Sequence, residues 1–114
     1  MHRALVLAFA VVTAASCSDP LLSKPPTISG NVVAAWNHHL LVVAPGGDVA
    51  CDIAQRAQVG IERATVIRRS GGSASAADIV VGTAVSVWTT GGVLESCPGQ
   101  IGAKIVVIED AAHN

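Results

Sequence analysis

The sequence predicts a mainly β fold, one small barrel with a single short helix, set behind an N-terminal export signal. Three observations carry this. Hydrophobic residues make up 51% of the 114 residues and charged residues only 13%, so the chain is too apolar to stay disordered and long enough for one domain. After residue 27 the apolar runs are short, rich in Val and Ile, and cut by Gly, Pro and Ser, which is how strands and their turns are written. Residues 1–16 follow a different rule. Met1-His2-Arg3 is a short positive opening, Ala4 to Val12 is an unbroken apolar run, and Thr13-Ala14-Ala15-Ser16 is a small-residue cleavage region. That is the layout of a signal peptide, and the run is too short to span a bilayer as a helix. A buried N-terminal helix is the alternative, but no polar position interrupts the run.

Each element follows in chain order. Residues 17–26, Cys-Ser-Asp-Pro-Leu-Leu-Ser-Lys-Pro-Pro, read as a polar tether. The domain spans residues 27–110. Its first strand runs from Thr27 to Trp36, with Gly30 marking a bend. Asn37-His38-His39 supplies a turn, and Leu40 to Ala44 is a buried strand stopped by Pro45-Gly46-Gly47. Two further strands are expected near 50–58 and 60–69, continuous through a bulge at Gly60 or separate. Ser75 opens a helix of one to two turns, Asp78 stands in the box position and Gly82 closes it. Ala84 to Thr90 alternates as a half-buried strand. Residues 93–96 continue as a short strand broken by Pro98-Gly99, and Lys104 to Glu109 is the last. Residues 111–114 form a fraying tail. About five strands, with the helix before the fourth, is the order of a Greek-key barrel of the OB type; a two-sheet sandwich is the alternative.

The cysteines are three: Cys17, Cys51 and Cys97. Ala14-Ala15-Ser16-Cys17 resembles a bacterial lipobox, whose Cys is acylated, although Ala14 stands where Leu or Val is usual; small residues at Ala14 and Ser16 also suit ordinary signal cleavage, which would leave Cys17 as the unmodified first residue of a secreted chain. Lipidation at Cys17 accounts for the odd count and leaves Cys51 and Cys97 to pair in an oxidising compartment. The alternative is two buried free thiols. Such a link contributes at most about 4 kcal/mol by chain entropy. It matters in a small domain: cleavage after Ser16 leaves 98 residues, a size at which core burial alone is marginal. The expected location is the cell envelope, with the membrane as a partner through the lipid.

Three segments carry a resemblance. Thr27-Ile28-Ser29-Gly30-Asn31-Val32, Ala77 through Trp88, and Glu95-Ser96-Cys97-Pro98-Gly99-Gln100-Ile101-Gly102-Ala103 are similar to the opening strand, the helix-to-strand segment and the "e-S-Y-P-x-Q-x-x-A" block of the YobA-like family. That is a domain of unknown function in exported bacterial proteins and lipoproteins. The resemblance spans about Thr27 to Glu109 and implies an OB-like barrel outside the cytoplasm, with no assigned activity. Cys97 departs from the family's Tyr, which supports an added staple.

For function, the residues exclude more than they assign. The leader holds one basic residue, Arg3, and no acid, so the remaining chain carries six basic and eight acidic residues. Tyr is missing and Phe9 lies in the leader, so nucleic acid is disfavoured as a partner. The acids are scattered, no CxxC or paired Cys/His spacing appears, and Ser96 has no nucleophile motif. No catalytic residue, metal or cofactor is therefore assigned. Trp36, His38, His39 and Trp88 are the candidate ligand contacts. A core role for the tryptophans and a solvated turn for the histidines are the alternatives. The reading is a non-catalytic binding or accessory module for a small molecule, glycan or envelope protein. A purely structural envelope component and, more distantly, a hydrolase are its rivals.

Overall fold

The computed structural model describes residues 19–109, and they are mainly β. The expected signal peptide, Cys17 and the expected tail lie outside the described residues. Among the described residues seven strands form: β1 (Ile28–Trp36), β2 (His39–Val43), β3 (Arg56–Gly60), β4 (Thr65–Arg68), β5 (Ala84–Trp88), β6 (Gly99–Gly102) and β7 (Ile105–Ile108). They make one mixed open sheet in the order β4-β7-β5-β1-β2-β3-β6. β3/β6 and β4/β7 are parallel and the other neighbours antiparallel.

The count exceeds the five strands that the sequence predicts because the chain breaks stride twice. Ile61 is buried and closes a turn with Ala64 between β3 and β4. Between β6 and β7 the chain changes partner within two residues: the Ala103 N–H donates to the Gly60 carbonyl, and the Lys104 N–H donates to the Trp88 carbonyl.

Period-two alternation builds the core. Leu40 and Val42 of β2, Ala57 and Val59 of β3, Val85 and Val87 of β5 and Ile101 of β6 turn inward beside Ile28, Val32, Val106 and Ile108. This main cluster holds no aromatic ring among its buried members, so branched aliphatics fill it. Each fully buried Val or Ile contributes roughly 1.5–3 kcal/mol. Gly30 is required by a close approach, since a Cβ there would run into the Val43 carbonyl. Two residues on, the β1/β2 register shifts between Val32 and Ala34, which curls the strand.

Four expectations are corrected. The helix expected over 75–82 is a 3-10 turn of three residues, Ala76–Asp78. Asp78 accepts from the Ser75 N–H at 2.8 Å as its box position requires. The β-branched run Ile79-Val80-Val81 then resists helix, and Ile79 is extended and buried. The strand expected near 50–58 starts only at Arg56. The Asp52 side chain accepts from the Ala54 N–H, and its carbonyl accepts from Gln55 and Arg56, which holds a turn there. Residues 93–96 make a single bridge, Leu94 to Gln100. The segment expected as a free tether is docked: Asp19 accepts from the Leu21 N–H at 2.8 Å and caps a 3-10 turn over Pro20–Ser23. Leu21 and Leu22 of that turn pack on Trp88, Ile105 and Val107.

Candidate functional site

β1 and β2 are joined by two residues, Asn37 and His38, with φ of 37° and 62°. Positive φ at both central positions is the type I′ turn, whose twist matches the strands it links. Asn and His are among the non-glycine residues that tolerate this region best. The turn sets Trp36 opposite His39. Their rings stack, with centroids 5.9 Å apart and planes 16° from parallel. The His39 Nδ1 lies 2.9 Å from the Asn37 carbonyl oxygen. Trp36 remains 43% exposed.

His39 points away from the core because Leu40 points into it. The same outer face carries Leu41, Gln58 and Gln100, in register Leu41↔Gln58 and Gln58↔Gln100. Where β2, β3 and β6 meet, His39 pairs with Gly60 and Gly60 with Gly102. Two adjacent positions without side chains leave a groove of about 290 Å³, walled by His39, Leu94 and the two glutamines. None of its lining residues is Asp, Glu, Lys or Arg. A second hollow lies between Trp36, His38, His39 and the 3-10 turn at Ala76.

The sequence-selected residues divide. Trp36 and His39 come together. His38 sits exposed in the turn, and its carbonyl accepts from Ile61. Trp88 does not join them. It neighbours Val87, which pairs with Ile28 at the opposite end of β1. It is 4% exposed, and its Nε1 donates to the Lys24 carbonyl at 2.9 Å. Trp88 is therefore a packing residue, and its candidacy as a surface contact is withdrawn. Gln58, Gln100, Gly60 and Gly102 were not selected from sequence. Gln58 lies between inward Ala57 and Val59, a sign that it faces outward, but nothing local places it beside Gln100.

Cys51 and Cys97 form a disulfide with Cα atoms 4.6 Å apart. It ties the β2–β3 loop to the segment that carries Leu94 along the groove. Arg56 fastens the same loop: its Nε donates to the Ala50 carbonyl at 2.9 Å and its Nη1 to the Asp48 carbonyl at 3.0 Å.

The main charged network lies elsewhere. Arg69 makes a two-pronged contact with Glu109, at 2.9 and 2.7 Å. Glu109 also accepts from the buried Ser86 hydroxyl at 2.7 Å, and Ser86 meets Ser29 at 2.8 Å. The hydrogen bond to Glu109 holds the Arg69 guanidinium above its ordinary value, against partial desolvation. This network joins β1, β5 and the ends of β4 and β7. Among the described residues no group of three or more His, Cys, Asp or Glu gathers to hold a metal. No described helix is long and apolar enough to cross a membrane. Comparison of the chain with protein-family models, with curated proteins and with solved structures returned no match.

Proposed function

We propose that this protein is a non-catalytic binding module of the bacterial cell envelope, exported by residues 1–16, anchored by acylation at Cys17, and contacting its ligand through the outer face around Trp36. The observation that carries the reading is the exposed Trp36, stacked on His39 beside a groove with a glycine floor. Exposed aromatic platforms next to hydrogen-bonding side chains are how small-ligand sites gain contact area and orientation. The Cys51–Cys97 disulfide supports an oxidising compartment, and the lipobox-like junction supports the anchor.

The finer fold and family belong to the same proposal. Counting β3 with β4 and β6 with β7 as bent single strands gives five, and their order returns to its start through β5 and β1. The Ala103–Gly60 and Thr65–Lys104 hydrogen bonds carry the parallel ladder across both breaks. That favours an OB-like barrel and agrees with the YobA-like resemblance. In such barrels the face of the second and third strands and the adjoining loops hold ligands. The ligand itself is argued from the site, because a fold alone does not assign one.

Two measurements test this. Intact mass of membrane-extracted protein should show a chain beginning at an acylated Cys17; an unprocessed chain starting at Met1 ends the envelope reading. Separated saccharide, lipid and protein fractions of envelope extract should include one that shifts Trp36 fluorescence. Trp36→Ala, still folded, should lose that partner. If the variant retains every partner of the parent, the contact surface lies elsewhere and the structural role gains ground.

A further inference from the structure

Resting on the reading that this face binds a ligand, we infer that the groove between His39 and Leu94 takes a neutral saccharide, a sugar ring lying on the Gly60–Gly102 floor beside the His39 ring. The argument starts from what the two glycines do not do. Neither has the positive φ that only glycine adopts freely. A Cβ on Gly102 would meet nothing within 4 Å. One on Gly60 would make only ordinary contacts, at 3.8 Å to the His39 ring and 3.9 Å to the Ile101 carbonyl oxygen. The contrast with Gly30, where a side chain has no room, is direct. Glycine weakens a strand and in such positions marks close approach by something else. Here the backbone of this chain does not approach, so the open floor is what the pair supplies.

The walls then select the occupant. The groove volume of about 290 Å³ sits at the small end of ligand sites, enough for one or two sugar rings and too small for a protein surface. Its lining holds no Asp, Glu, Lys or Arg, so no fixed charge in it compensates a phosphate, a carboxylate or an ammonium group. What it offers is a pair of carboxamides in register, Gln58 and Gln100, each able to donate and accept. Gln100 is held only loosely, at 3.4 Å from the Ser96 hydroxyl. Vicinal hydroxyls of a sugar donate and accept in the same way. An apolar peptide would leave both amides unpaired against it, which is costly.

The test uses the full chain and a panel of neutral glycans that includes maltotetraose, cellotetraose and the tetramer of N-acetylglucosamine. A poly-dT oligonucleotide and a leucine-rich heptapeptide serve as charged and apolar comparators. Calorimetry and Trp36 fluorescence should detect at least one glycan and neither comparator. His39→Ala, which removes one wall of the groove, should weaken that glycan at least tenfold. Gly102→Val should weaken it at least fivefold while its melting temperature stays level or rises, because a β-branched side chain suits a strand and nothing in the fold needs the glycine. A glycan that binds Gly102→Val and His39→Ala undiminished overturns the inference. So does a panel in which no glycan binds. Should only the peptide or the oligonucleotide bind, and lose affinity in His39→Ala, the saccharide assignment falls while the binding face stands.

Discussion

The two tryptophans of the domain lie toward opposite ends of β1 and are treated in opposite ways. Trp88 is covered: Leu21 and Leu22 pack on it, Ile105 and Val107 flank it, and Lys24 accepts its indole N–H. Trp36 is backed by one ring, His39, and left 43% open. Exposed tryptophan is costly to solubility, and this chain has a means of hiding one, since a capped 3-10 turn before the first strand does so for Trp88. Trp36 receives no such cover from the described residues. The difference separates a ring that holds the fold from a ring that the fold holds out. The neighbours tell the same story. Around Trp88 are aliphatic side chains, and beside His39, the ring that backs Trp36, are amides and bare backbone.

Stability measurements should split the pair. Trp88→Ala removes a buried ring and its hydrogen bond and should cost about 3–5 kcal/mol, as large aromatic truncations in cores do. Trp36→Ala should stay within about 1 kcal/mol, the range of exposed substitutions. Urea unfolding followed by circular dichroism reads both. Equal losses would show that Trp36 is structural and would remove the basis for a binding face. The next effect in size concerns the cover itself. Leu21→Ser with Leu22→Ser removes two half-buried side chains and should cost roughly 1–3 kcal/mol in total. It should also shift the fluorescence of Trp88 to the red in a Trp36→Phe background. An unchanged spectrum would mean that the N-terminal turn does not shield Trp88 in solution, and that the segment behaves as the tether its composition describes.

How much of this was legible depends on the distance over which each feature is determined. The β1–β2 hairpin was legible because its signals are local: strand formers on both sides and Asn-His at the turn. The pairing of Cys51 with Cys97 came from counting, which needs no geometry. The docking of Leu21 and Leu22 was not read, although Asp19-Pro20 is a cap followed by a first-turn proline and could have been taken as a helix start. What decides that docking is Trp88, more than sixty residues away. β6 was missed because Gly99-Gln100-Ile101-Gly102 offers one strong strand former, and its partner β3 lies some forty residues upstream in parallel register. Over 75–82 the sequence carries the cap chemistry of a helix, but the β-branched residues after Asp78 end it within one turn. The site was legible in its aromatic half, Trp36 and His39. The other half is made of residues whose contribution is a neutral amide or the lack of a side chain, and neither leaves a local pattern.

The smallest expected effect probes the contact that distinguishes Trp36 from an ordinary exposed ring. His39 stacks on it and also overhangs Gly60. His39→Ala deletes that backing at a position where the side chain is half-buried, so stability should fall by no more than about 1 kcal/mol. The indole, however, loses the ring that fixes its orientation. Acrylamide quenching of Trp36 fluorescence, read in a Trp88→Phe background that preserves the buried packing, should therefore rise in His39→Ala. His39→Phe, which keeps a flat ring in place, should restore the parent value. A rise in both variants would assign the effect to the imidazole's bond with the Asn37 carbonyl instead of to stacking. No rise in either would show that Trp36 is oriented by its strand alone, and the two tryptophans would then differ in cover but not in how firmly they are held.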